Sequence, residues 1–240
     1  MLNPLHQFEI SPIFKMNIGN LDVSFTNSSV SVLAAVAVVY IFFSLCLRKR
    51  KLVPDRLQAC VEVAYTFITQ LINDNVGTKG LKYFPFVFSI FFFILLGNLL
   101  GLVPYMFTFT SHIIVTFTLA MVVFLFVTIL GICLHGFRFF TIFAPKGLPK
   151  FLVPVIVPIE LISYMSRPIS LSVRLFANMM AGHTMMKVFA GFAAMLGIFG
   201  VAPIAVNVIL TGFETAIAVI QAYIFTILTC VYLNDAVHLH

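Results

Sequence analysis

Arg174 lies inside a stretch, Phe151 to Phe189, in which Leu, Ile, Val, Phe and Met far outnumber charged residues. An arginine keeps its charge at any accessible pH, so that charge must be accommodated where it sits. At the centre of a membrane helix this costs at least ~2.5–3.5 kcal/mol. On a helical wheel of about 100° per residue, Asn178 lies one turn beyond Arg174 and Ser170 one turn before it. Arg167 and Ser163 fall about 20° from Arg174, and Glu160 about 40°. The polar residues of an apolar segment thus make one narrow stripe. His183 falls about 180° away and on a straight helix faces a different neighbour. The last apolar stretch repeats the device: Asn207, Glu214 and Gln221 are spaced by seven, which keeps them on one face.

Ionisable residues within a membrane usually mark ion or proton paths, and carboxylates with histidine form relays. Glu160, His183 and Glu214 can titrate, whereas Arg174 is a fixed cation. The pattern points to a path of groups that take and release protons, interrupted by one that never does. Each residue also has a bland reading. Ser163, Ser170 and Thr211 can satisfy backbone or pack helices. Arg167 can snorkel inward, and Lys187 can reach the outer interface. His183 and Glu214 can form a purely structural ion pair. His112 and His135 sit at expected membrane edges and read as interfacial, and His238 and His240 read as a tail.

The elements that must carry these groups follow from composition. Of 240 residues, 61% are hydrophobic and 9% charged. A soluble domain carries about 25% charged residues, so the chain reads as an all-α polytopic membrane protein. The net charge of +6 does not imply nucleic acid, because the basic residues border apolar runs. Cys46, Cys60, Cys133 and Cys230 have neither metal-ligand spacing nor disulfide logic. They read as small buried hydrophobes, and no cofactor or metal is expected. No cleavable signal is expected in residues 1–28, which read as an outer-side N-terminal segment.

About five membrane helices and one amphipathic surface helix are expected within a single membrane domain, residues 1–240. The spans are Val30–Leu47, Phe84–Phe107, His112–Leu134, Phe151–Phe189 and Val201–Leu233. Residues 56–76 alternate apolar and polar faces at helical spacing, with Gln58, Glu62, Thr69 and Asn73 on the polar side. Phe137–Lys150, with Pro145, Gly147 and Pro149, reads as a loop. The last two spans would run roughly 58 and 50 Å as helices, against a bilayer core of about 30 Å. Each must tilt strongly, bend or break, and Pro158 and Pro168 offer bends. They read as a long hairpin, residues 151–236, turning around Gly191–Pro203. Basic residues fix the orientation. Arg48 to Lys51, Arg56, Lys79 and Lys82 fall between the first two spans, and Arg138, Lys146 and Lys150 follow the third. Those segments are expected inside and the N-terminus outside. No Lys or Arg follows Lys187, so the rule is silent on the rest of the chain, whose C-terminus is expected on the matrix or cytoplasmic side.

The run Ser170-Leu-Ser-Val-Arg174-Leu-Phe-Ala-Asn178-Met-Met-Ala-Gly-His183 closely resembles the signature of subunit a of the F-type ATP synthases. The resemblance extends to Pro158-Ile-Glu160-Leu-Ile-Ser163, to Gly97-Asn98-Leu-Leu-Gly101-Leu-Val-Pro104, and to Gln221-Ala-Tyr-Ile-Phe-Thr-Ile-Leu. It covers roughly residues 30 to 235 in the expected order. It implies a stator subunit beside a rotor ring of small hairpin subunits, each with a mid-membrane carboxylate. It would not bind nucleotide or be an enzyme on its own. Its long hairpin would lie tilted against the ring, and its partners would be the ring, the peripheral stalk, other membrane subunits and the bilayer. Two offset half-channels would lead protons to and from the ring.

In that family Arg174 matches the essential arginine, which keeps the ring carboxylate ionised and blocks a direct leak. His183 and Glu214 match an acid–histidine couple of the outer half-channel. Asn178 and Gln221 match polar neighbours of the arginine, and Glu160 an acid of the inner half-channel. Ser170 belongs to the same stripe. Only a neutral acid is cheap in lipid, so alternation between lipid and a guanidinium couples ring movement to proton flow. The electrical part is about 2.3 kcal/mol per charge per 100 mV. The order of histidine and acid resembles the mitochondrial and alphaproteobacterial form. A short N-terminus, 28 phenylalanines and no tryptophan lean the reading towards the mitochondrial inner membrane, with a bacterial plasma membrane as the alternative. A stand-alone secondary transporter or channel would normally show internal repeats, and none is convincing. A purely structural membrane subunit would not need two aligned polar stripes.

Overall fold

The computed structural model describes residues 12–14, 17–18, 21–22, 24–47, 54–103, 106–143 and 153–238. Arg48 to Lys51, Lys146, Lys150, Pro104, Pro145, Gly147, Pro149 and His240 lie outside the described residues. Among the described residues, six α-helices carry the fold. They are α1 (Asn27–Leu47), α2 (Arg56–Val76), α3 (Phe84–Gly101), α4 (Ile113–His135), α5 (Val153–Met195) and α6 (Val201–Val237). Two short antiparallel pairings precede them: Pro12–Phe14 with Phe25–Thr26, and Asn17–Ile18 with Leu21–Asp22.

The helix starts and stops have local causes. Thr26 and Asn27 open α1, where the Ser29 N–H donates to Thr26 Oγ1 at 3.4 Å and the Ser28 N–H to Asn27 Oδ1 at 2.9 Å. Helix α2 ends at Gly77, whose φ of 78° suits glycine and whose N–H donates to Asn73 O. Helix α3 ends at Gly101, short of the expected Phe107, because Pro104 follows and disfavours helix in the residue before it. A short 3₁₀ turn over Phe109–Ser111 leads into α4. The expected loop after α4 begins as a 3₁₀ turn over Gly136–Phe143.

Helices α5 and α6 are 43 and 37 residues long, roughly 65 and 56 Å. Pro158 and Pro168 lie inside α5, and the helix runs through both. It also runs through Gly191, since one glycine among Phe189, Ala190, Phe192, Ala193 and Ala194 costs only about 1 kcal/mol. The turn is therefore confined to Leu196–Gly200, helped by Gly197 at φ 54°, and Pro203 sits in the first turn of α6.

Among the described residues, four helical stretches are long and apolar enough to cross a bilayer: Asn27–Cys46, Thr78–Gly101, Ile113–Phe139 and Val201–Val237. Helix α5 is not among them. Glu160, Arg167, Arg174, Asn178, His183 and Lys187 dilute its apolar character, so the helix with the most chemistry falls short of that apolarity.

The chain forms two compact units. The first comprises Met1–Leu52, Phe92–Val115 and Leu175–Ala222, and the second Val53–Phe91, Thr116–Arg174 and Tyr223–His240. In the first, Phe43 meets Phe92 edge to face, and Phe109 lies against Phe93. Gly97 and Gly101, one helical turn apart on α3, make room for the segment that follows. A β-carbon at Gly97 would stand 2.5 Å from the Phe109 ring, and one at Gly101 would stand 2.6 Å from Thr108 Cγ2. In the second unit, Val61, Ile68, Leu71, Ile72 and Val76 form the buried face of α2, and Gln58 donates to Glu62 on the exposed flank beside it. Phe86 stacks on Phe126, and Tyr164 hydrogen-bonds Thr128 at 2.7 Å.

Candidate functional site

The buried residues of α5 recur every three to four positions: Tyr164, Pro168, Leu171, Ser172, Leu175, Met179 and His183. The opposite face is open. Arg174 and Ser170 are exposed, while Glu160, Arg167 and Asn178 are half-buried. The 180° separation of His183 from Arg174 is therefore realised as a buried face and an open one. On α6 the same periodicity buries Glu214, Ala218, Gln221, Ala222 and Phe225, leaving Asn207 half-buried.

In the first unit α5 and α6 run antiparallel, as Thr211 to Met186 and Glu214 to His183 show. His183 is 5% exposed and Glu214 2%. His183 Nδ1 stands 3.5 Å from Glu214 Oε1, at the outer edge of hydrogen-bond length. His183 Nε2 stands 3.1 Å from Thr108 Oγ1. Gly182 admits the acid, since a β-carbon there would lie 2.7 Å from the Glu214 carboxyl carbon. Neither Glu214 oxygen has a hydrogen-bond partner among the described residues. Asn98, fully buried on α3, points its amide at the Ala218 carbonyl at 3.5 Å. Together these groups form a buried polar cluster in which the carboxyl and the imidazole can each hold a proton.

In the second unit Arg167 does not simply snorkel. Its guanidinium pairs with Asp235 at 2.8 Å and lies over the rings of Tyr164 and Tyr232, at 5.2 and 5.0 Å. Arg174, one stripe position on, makes no ion pair or hydrogen bond among the described residues. His135 Nε2 lies 3.1 Å from the Ala236 carbonyl, and a buried hydroxyl pair joins Thr116 to Ser172 at 3.2 Å. Thr211 takes its bland role, donating to the Asn207 carbonyl at 2.9 Å.

Sequence reasoning missed Thr108, Asp235 and the Thr116–Ser172 pair. Asp235 was within reach, because it lies two further steps of seven beyond Gln221. Thr108 offered no signal in a turn with no periodicity of its own.

Residues 29–234 match the family described as ATP synthase A chain. The chain belongs to this family. A protein named ATP synthase subunit a from Rhodospirillum rubrum is 52% identical over 241 residues, with both chains covered in full. One of the same name from Chelativorans sp. (strain BNC1) is 52% identical, covering 98% of each chain. Another from Parvibaculum lavamentivorans is 51% identical, covering 99% of this chain and 94% of its own. Membership of the ATP synthase A chain family makes this chain a membrane subunit of an ATP synthase, acting in ATP synthesis and proton transport alongside the other subunits of that complex.

Proposed function

We propose that this chain is the proton-translocating stator subunit of its complex, supplying half-channels to a carboxylate on a rotating ring. The observation that carries the reading is Arg174. A permanently charged side chain stands exposed on a 43-residue apolar helix, with no counter-ion among the described residues. A lone guanidinium in such a place needs an acid from outside the chain, and one that arrives and leaves explains why no internal acid holds it. His183 and Glu214 are the proton-carrying couple of the outer path, and their buried, loosely paired geometry suits transfer better than a locked ion pair. Glu160 serves the inner path, Ser170 lines the proton path on the Arg174 stripe, and Asn178 and Gln221 form the polar surroundings of the arginine. Helices α5 and α6 lie tilted against the ring, since neither fits a ~30 Å core upright. The N-terminus lies on the outer side and the C-terminus on the cytoplasmic side. The bacterial sources of the relatives support a bacterial plasma membrane over the mitochondrial inner membrane.

The test is ATP synthesis and passive proton flux in liposomes holding purified complex. Arg174→Lys keeps charge but loses the planar fork, and is expected to abolish coupled synthesis. Arg174→Ala is expected to abolish synthesis and let protons leak. Substantial coupled synthesis by Arg174→Ala, without a second-site change, would falsify the reading.

A further inference from the structure

His183 can take a proton from Glu214 only if the nitrogen facing the acid is bare. Thr108 Oγ1 lies 3.2 Å from the Gly101 carbonyl oxygen and 3.1 Å from His183 Nε2, and Thr108 is buried. A threonine hydroxyl has one proton to give and lone pairs to accept with. The Gly101 carbonyl can only accept, and it belongs to the last turn of α3, where carbonyls lack partners within the helix. The hydroxyl proton goes to Gly101, and the remaining lone pair accepts from Nε2–H of His183.

We propose that Thr108 is a positioning residue that holds His183 in its Nε2–H tautomer, leaving Nδ1 as the atom that exchanges a proton with Glu214. This rests on the reading of His183 and Glu214 as a proton path. The step balances within the pair. The O–H bond of neutral Glu214 breaks as an N–H bond forms at Nδ1, leaving carboxylate and imidazolium, and the return step reverses both. In the other neutral tautomer Nδ1 already carries hydrogen, and the ring cannot accept from Glu214.

The seat of the hydroxyl is built by α3 and the turn after it. A β-carbon at Gly101 would stand 2.6 Å from Thr108 Cγ2 and 2.9 Å from its Oγ1, so a side chain there displaces the hydroxyl. Ser111 Oγ donates to the Thr108 carbonyl at 2.6 Å and closes the turn. The small residues one helical turn apart on α3 therefore act on an imidazole of another helix, through a turn they allow to pack.

The experiment uses purified complex carrying ¹⁵N-histidine, with the His183 signals identified by their loss in His183→Gln. In the neutral state of wild type, Nε2 is expected to be the protonated nitrogen. Thr108→Val keeps shape but removes the hydroxyl, so the population shifts towards Nδ1–H, and proton flux in liposomes falls roughly 3- to 10-fold. Thr108→Ser is expected to restore both readouts, and Gly101→Ala to reproduce the valine effect. A wild-type neutral His183 protonated at Nδ1 overturns the proposal, whether or not any variant assembles. So does a Thr108→Val complex with wild-type tautomer or wild-type flux. Glu214→Gln separates the two layers. Wild-type flux in that variant defeats the relay itself, whereas impaired flux there beside a normal Thr108→Val complex defeats only the role of Thr108.

Discussion

Glu214 sits where its carboxyl touches a glycine on one side and an imidazole on the other, with nothing else to hold it among the described residues. Shape and charge can therefore be varied separately. Glu214→Gln keeps the shape and one acceptor, so the complex should assemble while proton flux falls about a hundred-fold or more, the usual contribution of a positioned proton-transfer group. Fluorescence quenching in proteoliposomes normalised to assembled subunit measures this. Gly182→Ala keeps the acid but places a β-carbon 2.7 Å from its carboxyl carbon. The carboxyl must shift by several tenths of an ångström away from its place beside Nδ1. Flux should drop by about ten-fold, and by less than in Glu214→Gln, because displacement weakens transfer without removing the group. Equal flux in Gly182→Ala and wild type would show that the close approach has no bearing on transfer.

At the scale of elements, the α5–α6 hairpin in the second unit is tied by Arg167, Asp235, Tyr164 and Tyr232. The pair is about 30% exposed on each side, with side-chain values of 27% and 33%, so solvent screens it. With its ring contacts it should stabilise by about 1 kcal/mol rather than several. A double-mutant cycle of Arg167→Gln and Asp235→Asn, read by thermal unfolding of the purified complex, should return a coupling of about that size. Strict additivity would mean that the pair contributes nothing. The α3 face makes a stronger demand. Gly97→Val should disrupt packing of the 3₁₀ segment, since even a β-carbon meets the Phe109 ring at 2.5 Å. Loss of assembled subunit at ordinary growth temperature is the expected readout.

For the molecule as a whole, charge distribution sets orientation. Lys79 is exposed near the start of the second span, while Met106 is exposed in the turn after it. In a background lacking Cys46, Cys60, Cys133 and Cys230, a cysteine at Lys79 should label only from the cytoplasmic side and one at Met106 only from the outer side. Ser111 is the poorer position for that label because it is buried. Labelling of both cysteines from the same side would overturn the orientation. The four apolar stretches say that the chain crosses a membrane, and the extra helix, α5, says where polar chemistry interrupts that rule.

The helices, their order, the two polar stripes and the arginine were legible in the sequence, because periodicity and charge are properties of neighbouring residues. The 180° separation of His183 from Arg174 followed from 3.6 residues per turn alone, whereas packing decided that the Arg174 face is the open one. Element ends shifted where a single residue decided them, as with Pro104 beyond α3 and the weak stop at Gly191 in α5. What only the tertiary structure decided is which atoms meet. Thr108 and His183 are 75 residues apart, and Arg167 and Asp235 are 68 apart. Such contacts depend on the path of the chain between them: on glycines that let a turn lie close against α3, and on an antiparallel hairpin whose register is set by packing along its length. No local pattern encodes that path, so the hydroxyl that orients the imidazole became visible only when the helices were brought together.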